Sequence, residues 1–133
     1  MEDFPTQALN RDAREKILVE PQIFKILTGP QWALWRGLGT TLGSPDDRRD
    51  GFIHFSAAHQ ISGTLLKHFS AHDRLWIVAG DPARMGSALK WEKARNGQLF
   101  PHLYSPFSVI QATGEWNIRK LDGRWALPVE ATT

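Results

Sequence analysis

The chain has 133 residues, with 16 basic and 14 acidic side chains and no cysteine. This length can bury a core within one domain, so no disulfide or structural metal is needed. A formal charge of +2 does not by itself indicate nucleic acid, and the lack of cysteine excludes thiol catalysis and thiolate ligands. No apolar run reaches the roughly 18 residues of a membrane span, and the start lacks a signal-peptide pattern. We expect a cytoplasmic protein without a membrane partner.

The first segment, 1–22, is polar and mixed in charge. Leu9, Ala13 and Ile17 stand at helical spacing in an otherwise weak pattern, which predicts an extension that is partly helical or loose. No repeat, low-complexity tract or linker interrupts the remainder. We therefore expect a single α+β domain over 23–133.

The next elements are a strand and a short helix. Ile23–Leu27 is apolar and β-branched, which predicts a strand. A Thr-Gly-Pro break follows, and Gln31–Arg36 then predicts a helix that buries Leu34 and one or both of Trp32 and Trp35.

Glycines and charged residues fill 37–51, a composition typical of a mobile surface loop that often acts as a lid. Arg48 and Arg49 in this segment could hold a pyrophosphate. Three aspartates compensate them, so a solvated charged loop is the default interpretation.

The stretch 50–70 changes its periodicity within a few residues. Ile53 and Phe55 alternate with His54 and Ser56, which is the pattern of a strand. A helical stripe follows, with Ser56 as the expected N-cap, and its apolar members are Ala58, Ile61, Leu65 and Phe69. His54 and Ser56 would then lie near a helix N-terminus, which favours an anionic ligand.

The second half of the chain is mostly extended. Leu75–Ala79 is apolar at every position and predicts a central strand. Phe100–Tyr104 places alternate rings on one face, but Pro101 should confine it to an edge or an irregular run. The other predicted elements are a helical turn in Pro82–Ala88, a strand in Leu89–Lys93, a turn at Asn96-Gly97, and a hairpin of Ser108–Leu121 and Arg124–Leu127 around Asp122-Gly123. Six or seven strands and two early helices indicate an α+β domain.

An ordered set of motifs carries a resemblance to a known family. The motifs are FKILT, SP followed by DGFIHFS, HF at 68–69, DPAR, KWE and FPHLY, and they span about Ile23 to Gln111. The chain resembles the small bacterial proteins of domain of unknown function 952. The resemblance implies an ADP-ribosyltransferase-like fold, in which two curved, mainly antiparallel sheets form a cleft that holds NAD in relatives.

The resemblance also implies roles for residues of this cleft. In one branch of the superfamily a strand histidine binds a ribose, aromatic rings enclose the nicotinamide, and a glutamate orients the nucleophile. The corresponding candidates here are His54, Phe100 and Tyr104, and Glu92. His102 could act as an acid or base near neutral pH, a role typically worth about 10²–10⁴ in rate.

Each catalytic candidate has a structural alternative. His54 could be a half-buried histidine that bonds a backbone carbonyl or Ser56. Glu92 could be a surface carboxylate paired with Lys90 or Lys93, and this is the interpretation that its sequence context favours. For His102 and Tyr104 the functional and structural interpretations stay level.

His68 and His72 stand four residues apart, a spacing that can bind zinc on a helix. The helix should end between them, and no HExxH glutamate accompanies them. Histidines near a helix C-terminus are favoured by the helix dipole, so we expect no metal.

The leading hypothesis is an NAD- or nucleotide-binding protein that transfers or hydrolyses an ADP-ribosyl group without metal, in a cleft lined by His54, Ser56, Glu92, His102 and Tyr104. The first rival is a noncatalytic sensor of a nucleotide or small anion at that cleft. The second is an RNA-binding module that uses the C-terminal hairpin, with Trp116, Arg119, Lys120, Arg124 and Trp125. For this hairpin we favour tryptophans that seal the core and cations that face water. We expect a monomer or a weak dimer.

Overall fold

The computed structural model describes residues 21–128 and residue 131. The predictions for 1–20, including the weak helical pattern, lie outside these residues. Within the described part, every strand pairing is antiparallel and a few short helices accompany the sheets. The predicted α+β class is therefore confirmed. None of the helices described has the length and apolar character needed to cross a bilayer.

The described elements follow the chain in this order. The strands are β1 (Ile23–Leu27), β2 (Thr40–Thr41), β3 (Ile53–His54), β4 (Ser56–Ala57), β5 (Arg74–Gly80), β6 (Leu89–Lys93), β7 (Leu99–Leu103), β8 (Phe107–Ser108), β9 (Ala112–Leu121) and β10 (Arg124–Trp125). The α-helices are α1 (Gly29–Leu38), α2 (Pro45–Asp50), α3 (Ile61–His68) and α4 (Pro82–Met85).

Three sheets organise these strands. The largest has the order β10-β9-β5-β1-β4, a smaller one has the order β3-β7-β6, and β2 pairs with β8. β5 lies between β1 and β9, which confirms the prediction that its apolar run forms a central strand. The β2–β8 pair and the helix α2 are additions to the predicted two sheets and two early helices, whereas α4 lies within the helical turn predicted for Pro82–Ala88.

The largest sheet separates two hydrophobic clusters because successive strand residues point to opposite faces. Ile23 and Leu27 of β1 join one cluster, whereas Phe24 and Ile26 join the other. The predicted stripe of α3 packs on the second cluster. Strand alternation thus explains why Lys25 shares the face of Ile23 and Leu27.

Two of the sequence predictions are wrong about burial or position. Leu34 is 61% exposed, and α1 buries Trp35 completely because the indole stacks on Phe107 and donates to its carbonyl. β7, which contains Pro101, is the middle strand of its sheet and not an edge. Proline is tolerated there because the partner strand β3 ends at His54. Beyond His54 the two chain segments are joined by one backbone hydrogen bond, which Phe55 N donates to the Pro101 carbonyl.

Two further corrections concern 37–56. The segment 37–51 is not a lid-like loop, since it contains β2 and α2 and buries Asp47. Ser56 does not cap a helix. It belongs to β4, and the turn that precedes α3 is closed by the Gln60 side chain, which accepts a hydrogen bond from Ala57 N.

Candidate functional site

The helix α2 begins with a capping box that the local sequence encodes. Ser44 Oγ accepts a bond from Asp47 N at 3.1 Å, and Asp47 Oδ2 accepts one from Ser44 N at 2.8 Å. Pro45 occupies the first helical turn, where its missing N–H costs nothing. This arrangement turns the Asp47 carboxylate towards the interior.

Asp47 of α2 is buried and connects this helix to β1 and β3. Its Oδ2 lies 2.8 Å from Lys25 Nζ of β1, and its Oδ1 lies 2.6 Å from the Nδ1 of His54 and accepts the His54 backbone N–H at 3.1 Å. Burial raises the pKa of this carboxyl, but the bond from His54 and the charge of Lys25 outweigh it, so the pKa of Asp47 lies well below its usual range. The group is therefore a carboxylate at neutral pH.

Carboxylates contact both nitrogens of the His54 ring. Nδ1 faces Asp47, and Nε2 lies 3.1 Å from Oδ2 of Asp50 at the end of α2. A neutral imidazole has one N–H, so only the imidazolium form can donate to both carboxylates. His54 is consequently held in one orientation, with 39% of its side chain exposed.

A second histidine lies beside it because β3 and β7 pair with His54 opposite His102. The two ring centroids are 5.4 Å apart, and Phe52 stacks on the His102 ring at 4.0 Å. His102 Nδ1 lies 2.7 Å from Glu92 Oε1, which also accepts the Tyr104 hydroxyl at 2.8 Å. The two bonds lower the pKa of Glu92, and the bond to Glu92 raises the pKa of Tyr104.

The other nitrogen of His102, Nε2, has no protein partner among the residues described. When Nδ1–H donates to Glu92, Nε2 carries a lone pair, and the ring forms part of a cleft wall. An imidazole supported in this way can take up a proton and be stabilised as a cation by the carboxylate behind it.

The cleft has a volume of about 290 Å³ and is lined by residues of β1, β3, β4, β7, α2 and α3. It brings together four of the predicted site residues, His54, Ser56, Phe100 and His102. Glu92 and Tyr104 do not line it and stand behind His102. The alternative for Glu92, a pair with Lys90 or Lys93, is not what the structure shows, because its bonds go to His102 and Tyr104.

The hydroxyl of Ser56 is engaged within the protein. Thr64 donates its proton to the Gln60 carbonyl at 3.1 Å, so Ser56, whose Oγ lies 3.0 Å from Thr64 Oγ1, must be the donor of that pair. Ser56 therefore lines the cleft, but its hydroxyl proton is already donated to Thr64.

Sequence reasoning missed Asp47, Lys25 and Phe52. The S-P-x-D pattern of a capping box marks the start of α2 and could have identified Asp47 as ordered. A lysine inside the apolar strand IFKIL indicates a buried acidic partner, because an unpaired buried charge is too costly. No local signal places Phe52 against His102.

The other chemical candidates take structural positions. His68 lies in the last turn of α3, and among residues 21–128 and 131 no group of His, Asp and Glu side chains has the arrangement of a metal site. In the C-terminal hairpin, Trp116 and Trp125 pack against the second core cluster while Arg119 and Arg124 are exposed. This agrees with the favoured interpretation that the tryptophans seal the core.

Fold and site together define a small α+β protein with a histidine-containing cleft between antiparallel sheets. The chain belongs to the family described as "Protein of unknown function (DUF952)", whose model matches residues 26–113.

Solved structures of one relative have the same fold. The crystal structure of protein CC0527 from Caulobacter crescentus is 38% identical, with a TM-score of 0.74, and the match covers 79% of this chain and 93% of that one. A methionine double mutant of CC0527 gives 39% identity and the same TM-score and coverage. The solution structure of CC0527 gives 38% identity and a TM-score of 0.69 over 78% of this chain and 90% of that one. No curated protein matches the chain.

Proposed function

We propose that the protein binds NAD or a related nucleotide in the cleft and transfers or hydrolyses its ADP-ribosyl group without a metal. The observation that carries this proposal is the Glu92–His102 pair, whose free Nε2 belongs to a ring in the cleft wall. The choice of NAD rests on the resemblance of the sequence motifs to the family of domain of unknown function 952, which implies an ADP-ribosyltransferase-like fold with a cleft that holds NAD in relatives.

His102 and Glu92 have the groups needed for hydrolysis of the bond between ribose and nicotinamide. In hydrolysis, water attacks the ribose carbon that carries nicotinamide, and nicotinamide leaves with the electron pair of the broken bond. His102 Nε2 takes the proton of the water and passes it to solvent, while Glu92 stabilises the imidazolium. In transfer, a nucleophile of an acceptor replaces the water.

A noncatalytic sensor at the same cleft is the second candidate. One observation favours it: both nitrogens of His54 are already bonded to carboxylates, so this ring has no free position for proton transfer. A sensor would use His54 as a ring of fixed orientation and His102 as a hydrogen-bonding group.

Calorimetric titration with NAD, paired with chromatographic measurement of released nicotinamide, tests the proposal. We expect binding and slow release, and a loss of about 10²–10⁴ in turnover in His102→Ala and His102→Gln, since both remove the base. Thermal unfolding of the glutamine variant should change little. His59→Ala is the matched control because His59 is exposed and does not line the cleft.

The outcomes separate the candidates. Absence of heat and of nicotinamide at millimolar NAD would contradict the proposal. Binding without release, weakened by His54→Ala, would support the sensor. If both His102 variants fail to fold, the residue is structural and the proposed base is wrong.

A further inference from the structure

The cleft has a second wall that the proposed reaction does not use. This wall is formed by α3 and by the turn between β6 and β7, and its polar side chains are Thr64, Lys67, His68 and Arg95. Three of these side chains are basic. They can bind an anion only if carboxylates of the protein do not already neutralise them.

Arg95 has most of its hydrogen-bonding capacity unused. Its guanidinium lies over the Phe100 ring, with Cζ 4.9 Å from the ring centroid, and Nη2 makes a long bond of 3.4 Å to Thr64 Oγ1. Among the described ion pairs, no carboxylate is assigned to Arg95 or to Lys67. A guanidinium has five N–H donors in a planar fork that matches phosphate. Arg95 is thus positioned by an aromatic ring and still able to donate.

A glycine in α3 leaves room for this guanidinium. A Cβ at Gly63 would lie 3.2 Å from Arg95 Nη2, which is closer than most real Cβ contacts. Glycine in a helix interior is less favourable than alanine, and Gly63 does not have a left-handed backbone that would require it. The close approach of Arg95 is the physical reason that the structure offers for glycine at this position.

The carboxylates of the cleft are engaged elsewhere. Asp46 and Asp50 both pair with Arg49, Asp47 pairs with Lys25, and Asp47 and Asp50 hold the His54 ring. Lys67 and Arg95 of the second wall therefore have no carboxylate partner among the described ion pairs. Burial lowers the pKa of His68 first, the charges of Lys67 and Arg95 lower it further, and the nearby Asp46 charge opposes this shift.

We propose that Arg95 and Lys67 form a phosphate subsite, which holds the 5-phosphate of a nucleotide whose ribose lies at His102. Arg95 lies over Phe100, and Phe100 is two residues from His102 on the same face of β7, which corresponds to roughly 7 Å along the strand. This separation suits one ribose 5-phosphate unit. The position of the ribose rests on the proposed function, whereas the phosphate subsite does not.

Calorimetric titration at low salt with three probes, ribose 5-phosphate, inorganic phosphate and ribose, tests the subsite. We expect ribose 5-phosphate to bind more tightly than inorganic phosphate, and ribose alone not to bind. Affinity should fall as salt is added, because the contact is between charges.

Four variants locate the binding. Arg95→Gln and Lys67→Gln should each weaken ribose 5-phosphate binding by roughly 10- to 100-fold, since each removes a charge-assisted hydrogen bond. Gly63→Ala displaces the guanidinium without changing the charge and should weaken binding by a smaller factor while the protein stays folded. Lys93→Gln is the matched control because Lys93 is exposed and does not line the cleft.

Each result has a defined meaning. Equal binding by the wild type and the Arg95→Gln variant, or no binding at millimolar probe, would overturn the subsite. Equal affinity for inorganic phosphate and ribose 5-phosphate, both lost in Arg95→Gln, would retain the phosphate subsite and overturn the position of the ribose. Binding of ribose 5-phosphate without any response to NAD would contradict the proposed function alone. NAD turnover unaffected by Arg95→Gln would contradict the subsite alone.

Discussion

At Asp47 one buried carboxylate meets a lysine, a histidine ring and two backbone N–H groups. The side chain is 1% exposed, so removing it from water is costly, and the charge is tolerated because each oxygen accepts charge-assisted bonds. Replacing the carboxylate would leave the Lys25 ammonium buried without a counter-charge.

We expect Asp47→Asn to lower the free energy of unfolding by about 3 kcal/mol, the range typical of a broken buried pair. Urea unfolding followed by circular dichroism measures this change. Asp46→Asn is the matched control, because Asp46 is adjacent in α2 and its side chain is 64% exposed, so we expect a change within about 0.5 kcal/mol. Equal effects of the two substitutions would contradict the conclusion that the Asp47 carboxylate stabilises the fold by bonding Lys25 and His54.

The same carboxylate should make stability depend on pH. Its pKa in the folded protein lies below the ordinary value of 3.8, so its contribution is complete above about pH 5 and is lost as the pH falls through the acid range. Urea midpoints measured between pH 7 and pH 3 should therefore decrease more steeply for the wild type than for Asp47→Asn. If the urea midpoints of the two proteins changed in parallel with pH, the pKa of Asp47 would not be lowered by folding.

Glu92 offers a second residue-level prediction. Its pKa is held below 4.5 by hydrogen bonds from His102 and Tyr104. Tyr104→Phe removes one donor and leaves the ring, so we expect the pKa of Glu92 to rise towards 4.5. Carbon-13 NMR of the side-chain carboxyl measures the titration, and Glu115, which bonds Trp32 and Arg36 instead, is the internal control. An unchanged Glu92 titration would mean that the Tyr104 bond is absent in solution.

At the scale of elements, the segment before α2 depends on one glycine. Gly43 has φ +96°, and a Cβ there would overlap the buried Asp47 carboxylate. Gly37, in the last turn of α1, has an ordinary helical backbone and open space around the missing Cβ. An alanine would therefore be unfavourable at position 43 and favourable at position 37.

Gly43→Ala should destabilise the protein by about 1–3 kcal/mol, since it combines a strained backbone with a clash that buried atoms cannot relieve. Gly37→Ala should stabilise it by about 0.5–1 kcal/mol, because alanine is the better helix former. Thermal unfolding of the two variants under one condition measures the contrast. A stable Gly43→Ala variant would show that α2 does not hold Asp47 as described.

On the scale of the whole molecule, the cleft exists because two sheets and two helices meet around it. β1 contributes Lys25, α2 contributes the aspartates, and α3 contributes the basic wall. The pairing of β3 with β7 places His54 beside His102. A shift of this register by one residue would turn His102 away from the cleft, because neighbouring strand residues face opposite sides.

Much of the fold follows from local patterns. The apolar run of β5 is a property of a short segment, and its prediction as a central strand is confirmed. The alternation correctly predicts that Ile53 and Phe55 are buried in one cluster, but the predicted single strand is divided into β3 and β4, which belong to different sheets. The error at Pro101 arises because a proline signals an edge only when its partner strand continues past it. The error at Leu34 arises because α1 packs through Trp35, and spacing alone does not say which side of a short helix faces the sheet.

By itself, the sequence determined the α+β class and most of the strands, because periodicity and turn chemistry act over a few residues. The expectation that His54, Ser56, Phe100 and His102 share one cleft comes from the family resemblance and not from these local patterns. Only the tertiary structure decided which polar groups meet. The composition of 37–51 predicts a solvated loop for Asp47, because no pattern within that segment shows that Lys25 and His54 will face this carboxylate. Hydrogen bonds and ion pairs require contact, and contact between distant segments is set by strand pairing and packing.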